Sequence, residues 1–217
     1  MTAVARMPIS VNRLKKRLEN ESLIFLPASV EEYWKLVETP QLRLDYYNHQ
    51  IVAAMSYGSL KHETIVNNVS FRFNLKFEDQ NCRILPSNRP IYAAECENIY
   101  EPDVHVTDGT LEEYHYARTK TATKNPSVIV EVFSPSTKNF DLSEKLDCYK
   151  MIPSLKHIIF IEPNKPHIQV FNRTKRPNEW QNVDFFDLEQ KIRVLNKSIS
   201  LKTIYKKVIF TVAPPSV

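Results

Sequence analysis

The chain has 217 residues, of which 42% are hydrophobic and 25% are charged, and its formal net charge at pH 7 is +4. These values are typical of a folded globular protein, and the mildly basic balance permits contact with nucleic acid without requiring it. Only two glycines are present, Gly58 and Gly109. This scarcity argues against a glycine-rich phosphate loop or a dinucleotide-binding fingerprint, because both need backbone that approaches phosphate groups closely.

The three cysteines, Cys82, Cys96 and Cys148, are odd in number and show no CxxC spacing. We therefore expect reduced, mainly structural thiols in a cytoplasmic protein. No apolar run approaches the roughly 20 residues of a membrane-spanning helix. The basic N-terminal residues are not followed by the apolar core of a secretory signal. We expect a soluble chain without a membrane partner.

The N-terminal part of the sequence predicts two short helices and a β-hairpin. Ser29 precedes a helical pattern as an N-cap would, and Asn48 tolerates positive φ in a two-residue turn. The helices are expected over 11–20 and 30–37, and the hairpin strands over 42–47 and 50–55. Residues 1–28 are interpreted as an extension, residues 29–212 as one domain and residues 213–217 as a tail.

A long helix is predicted from about residue 60 to 77. Ile65, Val69 and Phe73 recur every four residues, which gives one buried stripe. His62 lies in the first turn of this helix, where a capping or polar surface role stands beside a catalytic one.

Strands are expected next at 82–85, 88–94 and 104–107, with Asp103 following Pro102 at the mouth of the third. Residues 110–125 are polar and are predicted to be a helix or loop with a solvated face. Later strand-like segments are 157–162, 167–172, 181–186 and 194–201, before a helix over 202–207. The whole pattern predicts a mixed α/β fold.

The stretch from Val128 to Phe133 is apolar and β-branched, which is typical of a strand buried on both faces. Glu131 lies in its middle, where an ionised carboxylate costs several kcal/mol unless it is compensated. A metal ion, a lysine or a proton could compensate it. The alternative is a strand-end glutamate that faces solvent or caps a neighbouring loop.

A helix is predicted to begin near Asp141, with Glu144 three residues later as in a capping box. Asp141, Lys145 and Tyr149 are four residues apart and so share one helix face. A helix packed back on the sheet would bring Lys145 toward the carboxylates of Asp103 and Glu131.

Asp103, Glu131 and Lys145 together provide two carboxylates and one ammonium, the minimum for a magnesium-dependent phosphodiesterase. Hard oxygen ligands suit Mg²⁺ or Mn²⁺, and the ammonium can orient water or stabilise developing charge. Asp103 could instead cap its strand, and Lys145 could merely pair with Asp141. The hydroxyl residues 134–137 lack a suitably spaced base, so loop and capping roles are favoured for them.

The motifs Glu101-Pro-Asp-Val104, Val130-Glu-Val-Phe-Ser-Pro-Ser-Thr137 and Ile152-Pro-Ser-Leu155 resemble those of the Uma family of restriction endonucleases, as does the Asp141, Lys145, Tyr149 spacing. That family belongs to the PD-(D/E)XK nuclease superfamily. The resemblance implies a restriction-endonuclease-like core, a mixed central sheet flanked by helices, with an N-terminal helix and a β-hairpin. It also implies a divalent metal, DNA as the substrate and a 5′-phosphate product.

By this resemblance, Asp103 and Glu131 are the metal ligands and Lys145, Asp103, Glu131 and His62 the catalytic residues. The superfamily pattern places its lysine two residues after the glutamate, where this chain has Phe133. The Uma family moves that lysine to the following helix, at the position of Lys145. Asp141 and Tyr149 are expected to support it.

Two hypotheses follow. The first is a Mg²⁺-dependent DNA endonuclease, for which a homodimer would suit the cutting of both strands. The second is a module that keeps the nuclease fold and binds nucleic acid or a protein with little or no catalysis. The modest charge and the lack of a clear basic recognition helix keep the second open.

Overall fold

The computed structural model describes residues 9–37, 42–55, 58–87 and 89–210. Its residues fall into two units, 1–57 and 58–217. Within the first unit, β3 pairs antiparallel with both β1 and β2. The elements of this unit are α1 (Val11–Leu18), β1 (Ile24–Pro27), α2 (Val30–Leu36), β2 (Leu42–Tyr47) and β3 (Gln50–Met55).

The local signals of the first unit act as predicted. The Ser29 hydroxyl accepts from the Glu32 N–H, and the Glu32 carboxylate accepts from the Ser29 N–H, which completes a capping box. Asn48 and His49 both adopt positive φ in the hairpin turn. The strand β1 was not predicted, because four residues give too short a pattern to separate from an extension.

The second unit contains one long helix, several short helical segments and twelve strands within the described ranges. They are α3 (Leu60–Lys76), β4 (Cys82–Pro86), β5 (Ile91–Ala93), a 3₁₀ turn (Ala94–Cys96), β6 (Asn98–Tyr100), β7 (Val104–Asp108), β8 (Glu113–Ala117), β9 (Lys120–Thr123), β10 (Val128–Val132), α4 (Lys138–Phe140), a π-helical turn (Asp141–Lys145), α5 (Leu146–Met151), β11 (His157–Glu162), β12 (His167–Arg173), β13 (Trp180–Phe185), β14 (Lys191–Val194), β15 (Lys197–Ser200) and α6 (Leu201–Ile204).

The main sheet of this unit has six strands in the order β13-β12-β11-β10-β7-β4. β10 runs parallel to β11 and antiparallel to β7. Every residue of β10 is buried, as its continuous apolar run predicts. The apolar stripe of α3, Ile65, Val69 and Phe73, belongs to the same hydrophobic core as β10 and β11. The fold is a mixed α/β fold with mixed sheets flanked by helices, as predicted.

The segment 110–125 is a correction to the prediction of a surface helix or loop. It forms a β-hairpin of β8 and β9, and β9 also pairs in parallel with β5. Along β8 the exposed and partly buried residues alternate, the period of a strand with one solvated face. The charged residues of this segment obscured that period.

The cysteines are a second correction. Cys96 and Cys148 form a disulfide, with their Cα atoms 6.1 Å apart, and Cys82 is the free thiol of the described chain. Spacing along the chain did not indicate this pair, because 52 positions separate its members. Disulfides are uncommon in cytosolic proteins, so the expected cytoplasmic location stays a prediction. Over the described ranges, no helix has the length and apolar character needed to cross a membrane.

The turn between β14 and β15 is attached to β11 through His157. The Leu195 N–H donates to His157 Nε2 at 2.9 Å, and His157 Nδ1 lies 2.8 Å from Asn172 Oδ1. This arrangement needs a neutral ring, because a protonated Nε2 cannot accept a hydrogen bond. Burial lowers the pKa of His157, against the opposing effect of Asn172.

We expect acid to destabilise the fold through His157. The unfolded chain takes up the proton near the ordinary histidine pKa of about 6.5, while the folded state resists it. Stability that is complete above that pH is therefore lost as pH falls below it, by up to about 1.4 kcal/mol per pH unit. Urea unfolding of wild type and His157→Gln at pH 7.5 and 5.5 should show a smaller pH effect in the variant. Equal pH effects in both proteins would refute this role.

Candidate active site

Two buried carboxylates meet where β7 and β10 lie side by side. Asp103 directly precedes β7, and Val104 pairs with Val130 of β10, which brings Asp103 next to Glu131. The Val132 N–H donates to Asp103 Oδ2 at 2.7 Å, and the Asp103 N–H lies 3.4 Å from Glu131 Oε2. Asp103 is 3% exposed and Glu131 is 1% exposed. Two neighbouring strands therefore fix both acids against the backbone.

The helical segment that follows β10 brings Lys145 to Glu131, one of the two acids toward which it was predicted to lie. Lys145 Nζ lies 2.9 Å from Glu131 Oε1 and 3.5 Å from Asp141 Oδ1, and the residue is 1% exposed. The Tyr149 hydroxyl donates to the same Glu131 oxygen at 2.8 Å. Glu131 therefore has a buried ammonium and a hydroxyl as partners, which offsets the cost of burying its charge.

The predicted capping role of Asp141 is wrong. The helical segment already begins at Lys138, and Asp141 has helical φ and ψ of −63° and −38°. Its own N–H donates to the Thr137 carbonyl at 2.8 Å, so Asp141 lies inside the helix. Residues Asp141–Lys145 form a π-helical turn, a local widening that is frequent at functional sites. What remains of the prediction is the contact of Asp141 with Lys145.

His62 adjoins the second carboxylate. Its Nε2 lies 3.3 Å from Asp103 Oδ2, and its Nδ1 lies 3.2 Å from Glu63 Oε1. The Ser59 hydroxyl accepts from the His62 N–H and caps α3. Gly58 packs closely here, since a Cβ at this position would lie 2.9 Å from His62 Nδ1 and collide with the Glu63 carboxylate. The sequence predicted His62 but not its contact with Glu63.

Tyr100 is a further neighbour that sequence reasoning missed. Lys145 Nζ lies 5.5 Å from the centre of the Tyr100 ring, which packs edge-to-face against Tyr149. The Asn98 amide donates to the Tyr100 hydroxyl at 2.9 Å and lies 3.7 Å from Cys148 Sγ. A ring face favours a cation, so Tyr100 holds Lys145 in place. No pattern around residue 100 indicates this contact.

The donor atoms suit a hard divalent cation. Asp103 and Glu131 supply carboxylate oxygens from adjacent strands, and Mg²⁺ is commonly bound by one or two carboxylates together with water and substrate phosphates. Among the described residues, no group of three or more His, Cys, Asp and Glu side chains is arranged to hold a metal ion. The protein's contribution would therefore be these two acids. Their metal-binding role, and the catalytic roles of Lys145 and His62, stay predictions.

Comparison with known proteins agrees with this architecture. Residues 30–201 match the family model Uma2, whose description is "Putative restriction endonuclease". The chain belongs to the Uma2 family. The match includes Asp103, Glu131 and Lys145, and it confirms the family resemblance that their motifs indicated.

Three further proteins are similar to this Uma2 chain in sequence or in structure. The uncharacterized protein sll1609 of Synechocystis sp. is 29% identical over 132 residues, which are 60% of this chain and 72% of that protein. The uncharacterized protein slr1290 of the same organism is 25% identical over 187 residues, 86% of this chain and 95% of its own length. A crystal structure described as a putative nuclease belonging to DUF820 from Anabaena variabilis superposes with a TM-score of 0.65 at 16% identity, and it covers 84% of this chain and 100% of its own. This likeness shows that the two chains share a fold.

Proposed function

We propose that this protein is a Mg²⁺-dependent endonuclease that hydrolyses phosphodiester bonds in DNA. The observation that carries the proposal is the contact of Glu131 with Lys145, 2.9 Å between oxygen and nitrogen, beside the second buried carboxylate of Asp103. This set combines hard oxygen ligands with a fixed positive charge where the start of β7 meets the end of β10. Metal-assisted hydrolysis of a phosphodiester can use both.

Each residue has a distinct task in this proposal. Asp103 and Glu131 would hold the ion, and hydrogen bonds from the backbone N–H groups of Val132 and Asp103 keep the two carboxylates in place. When bound, Mg²⁺ or Mn²⁺ would polarise the phosphate and lower the pKa of its water. Lys145 would orient the attacking water or stabilise charge on the phosphate. His62, which contacts Asp103, would assist from the first turn of α3.

Support comes also from the positions of Asp141, Tyr149 and Tyr100. Asp141 and the Tyr100 ring contact Lys145, and the Tyr149 hydroxyl donates a hydrogen bond to Glu131. Such contacts restrict both reacting groups before substrate arrives, and preorganisation of this kind lowers the barrier to reaction. The product would carry a 5′-phosphate.

The test is cleavage of supercoiled plasmid with Mg²⁺ or Mn²⁺. We expect Asp103→Asn to reduce the rate by at least about 100-fold, since it removes charge at the reacting centre. Asp108→Asn is the matched control, because Asp108 ends the same strand but pairs with Lys156 at the surface. The proposal fails if the purified protein cleaves no DNA or RNA in a broad panel, or if Asp103→Asn cleaves as wild type does.

The binding-module alternative is separated by calorimetric titration with Mn²⁺. Wild type should release or absorb heat on binding, and Glu131→Ala should not. Absence of binding in both proteins would favour a module without catalysis. We further propose a homodimer, since two sites related by two-fold symmetry suit the two strands of a duplex. Sedimentation of a monomer at all concentrations would reject it.

A further inference from the structure

Three lysines lie together at the end of the main sheet that carries the acids. Lys61 is in the first turn of α3, Lys138 begins α4, and Lys165 is in the turn between β11 and β12. We call these three residues the lysine rim. Lys61 directly precedes His62, so the rim adjoins the candidate active site in sequence and in space.

Glu162, the last residue of β11, organises the rim. Lys138 Nζ lies 2.8 Å from Glu162 Oε2. The Asn164 N–H lies 3.3 Å from Glu162 Oε1, and Lys61 Nζ donates to the Asn164 amide oxygen at 3.3 Å. Burial opposes ionisation of Glu162, but Lys138, the Asn164 N–H and Lys165 together lower its pKa. Glu162 therefore remains charged and interacts with Lys138 and Lys165, while Lys61 is connected to it through Asn164.

The rim still carries excess positive charge. The three lysines of the rim and Glu162 together have a formal charge of about +2 before solvent screening. The Lys138 side chain is 42% exposed and Lys165 is exposed, so an anion can reach both. Lys138 also lies 4.9 Å from the centre of the Phe133 ring, two residues beyond Glu131. Because Phe133 comes two residues after Glu131, the excess charge lies at the end of β10 that carries Glu131.

A group of hydroxyls lies in the loop between β10 and α4, directly before Lys138. Ser134 Oγ is 2.9 Å from both Ser136 Oγ and Thr137 Oγ1, and it accepts from the Thr137 N–H. Sequence reasoning left these side chains with loop roles. Hydroxyl and ammonium donors are the groups that proteins use to contact phosphate oxygens along a nucleic acid backbone.

We propose that the lysine rim, with the hydroxyls of residues 134–137, binds the phosphate backbone of duplex DNA next to the reacting phosphodiester. This inference rests on the proposed function, because it names the surface through which that site holds its substrate. The rim binds phosphates and not bases, so the binding is independent of sequence and weakens with salt as counterions return to the DNA.

The test measures binding alone, without cleavage. Fluorescence polarisation with a labelled 20-base-pair duplex is recorded in EDTA at several NaCl concentrations. The slope of log affinity against log salt should become shallower by about 0.9 for each lysine–phosphate ion pair that a substitution removes. Lys138→Gln should remove one such ion pair, and the variant with Lys61, Lys138 and Lys165 all changed to Gln should remove about three. Glu162→Gln should have the opposite effect and bind more tightly, because it removes the negative charge of the rim.

Lys156→Gln is the matched control. Lys156 pairs with Asp108 at 2.8 Å, the same distance as Lys138 from Glu162, and its side chain is similarly exposed. It lies at the other end of β11, about 20 Å away by the rise of a strand. Its substitution should leave affinity and slope unchanged, and Lys138→Arg should bind as wild type does.

Three outcomes separate the two proposals. If wild type binds DNA but the triple variant keeps its affinity and slope, the rim is refuted while the proposed function stands. If the triple variant no longer binds while Asp103→Asn still cleaves, the rim holds and the proposed catalysis fails. If labelled duplex RNA binds more tightly than DNA in the same assay, DNA is the wrong partner and the proposal is overturned.

Discussion

Replacing Lys145 by methionine is expected to lower the free energy of unfolding by about 3–5 kcal/mol, because it leaves buried carboxylates without their ammonium partner. Methionine keeps most of the length of the side chain, so the change isolates the charge. Urea unfolding measures the decrease directly. If Lys145 also acts in the reaction, the variant should lose DNA cleavage as well as part of its stability.

The control for this variant lies on the same helical segment. Lys150 pairs with Asp147 at 3.9 Å and is partly exposed, and Lys150→Met should change stability by less than about 1 kcal/mol. The double variant Lys145→Met with Glu131→Gln should regain part of the missing stability, since it removes a charge that the single variant leaves without its ammonium. It should not regain cleavage. A stable Lys145→Met protein that cleaves normally would remove Lys145 from both roles.

Reduction of the Cys96–Cys148 disulfide is expected to cost about 4 kcal/mol of stability, from the chain entropy of a loop of this length. The 52 positions between the cysteines set that figure. In a unit of this size the melting temperature should fall by about 10 °C. Melting with and without dithiothreitol, and of the double variant Cys96→Ser with Cys148→Ser, measures the decrease.

Cys82→Ser is the matched control for the disulfide, because Cys82 is the free thiol. Its melting should remain sensitive to reductant. Cys148 precedes Tyr149, the hydroxyl donor to Glu131, so cleavage should also weaken when the disulfide opens. Titration of the untreated, denatured protein should find one thiol. Three thiols, or equal melting with and without reductant, would contradict the disulfide.

The elements that the sequence predicted well are those in which one local pattern dominates. The apolar run of β10 requires a buried strand, and the Asn48-His49 turn requires positive φ at two adjacent residues. The stripe of α3 required only its own period of four. Each of these patterns specifies its helix, strand or turn within about a dozen residues. Contacts with distant segments therefore did not change the predicted secondary structure.

The site was predictable in part. Glu131 was found from chemistry, because a carboxylate in an apolar strand demands a partner, and Asp103 was found from its place after Pro102 at the start of a strand. Lys145 was found because it shares a helix face with Asp141 and Tyr149, and the family resemblance then gave it the role of the lysine whose usual position holds Phe133. The roles of all three still depend on the cleavage and titration experiments.

What the sequence could not predict depends on contacts between distant segments. Tyr100 meets Lys145 across 45 positions, and Cys96 meets Cys148 across 52. No local period encodes such contacts. The hairpin of β8 and β9 was missed for another reason: its solvated face carries charges that imitate a loop, while its buried residues are few.

Because of the π-helical turn at Asp141–Lys145, the number of residues in this helical segment can change without rotating the side chains that follow. In a regular helix, one inserted residue rotates every later side chain by about 100°. A π turn accommodates the extra residue within one turn, so the side chains after it still point in the same direction. Deleting exposed Ser143 should therefore shorten the spacing of Asp141 and Lys145 while Tyr149 still faces Glu131. A crystal structure of the deletion variant with Tyr149 turned away from Glu131 would disprove this. The turn would thus allow one residue beside the candidate site to be lost without a change in the direction of the side chains that follow it.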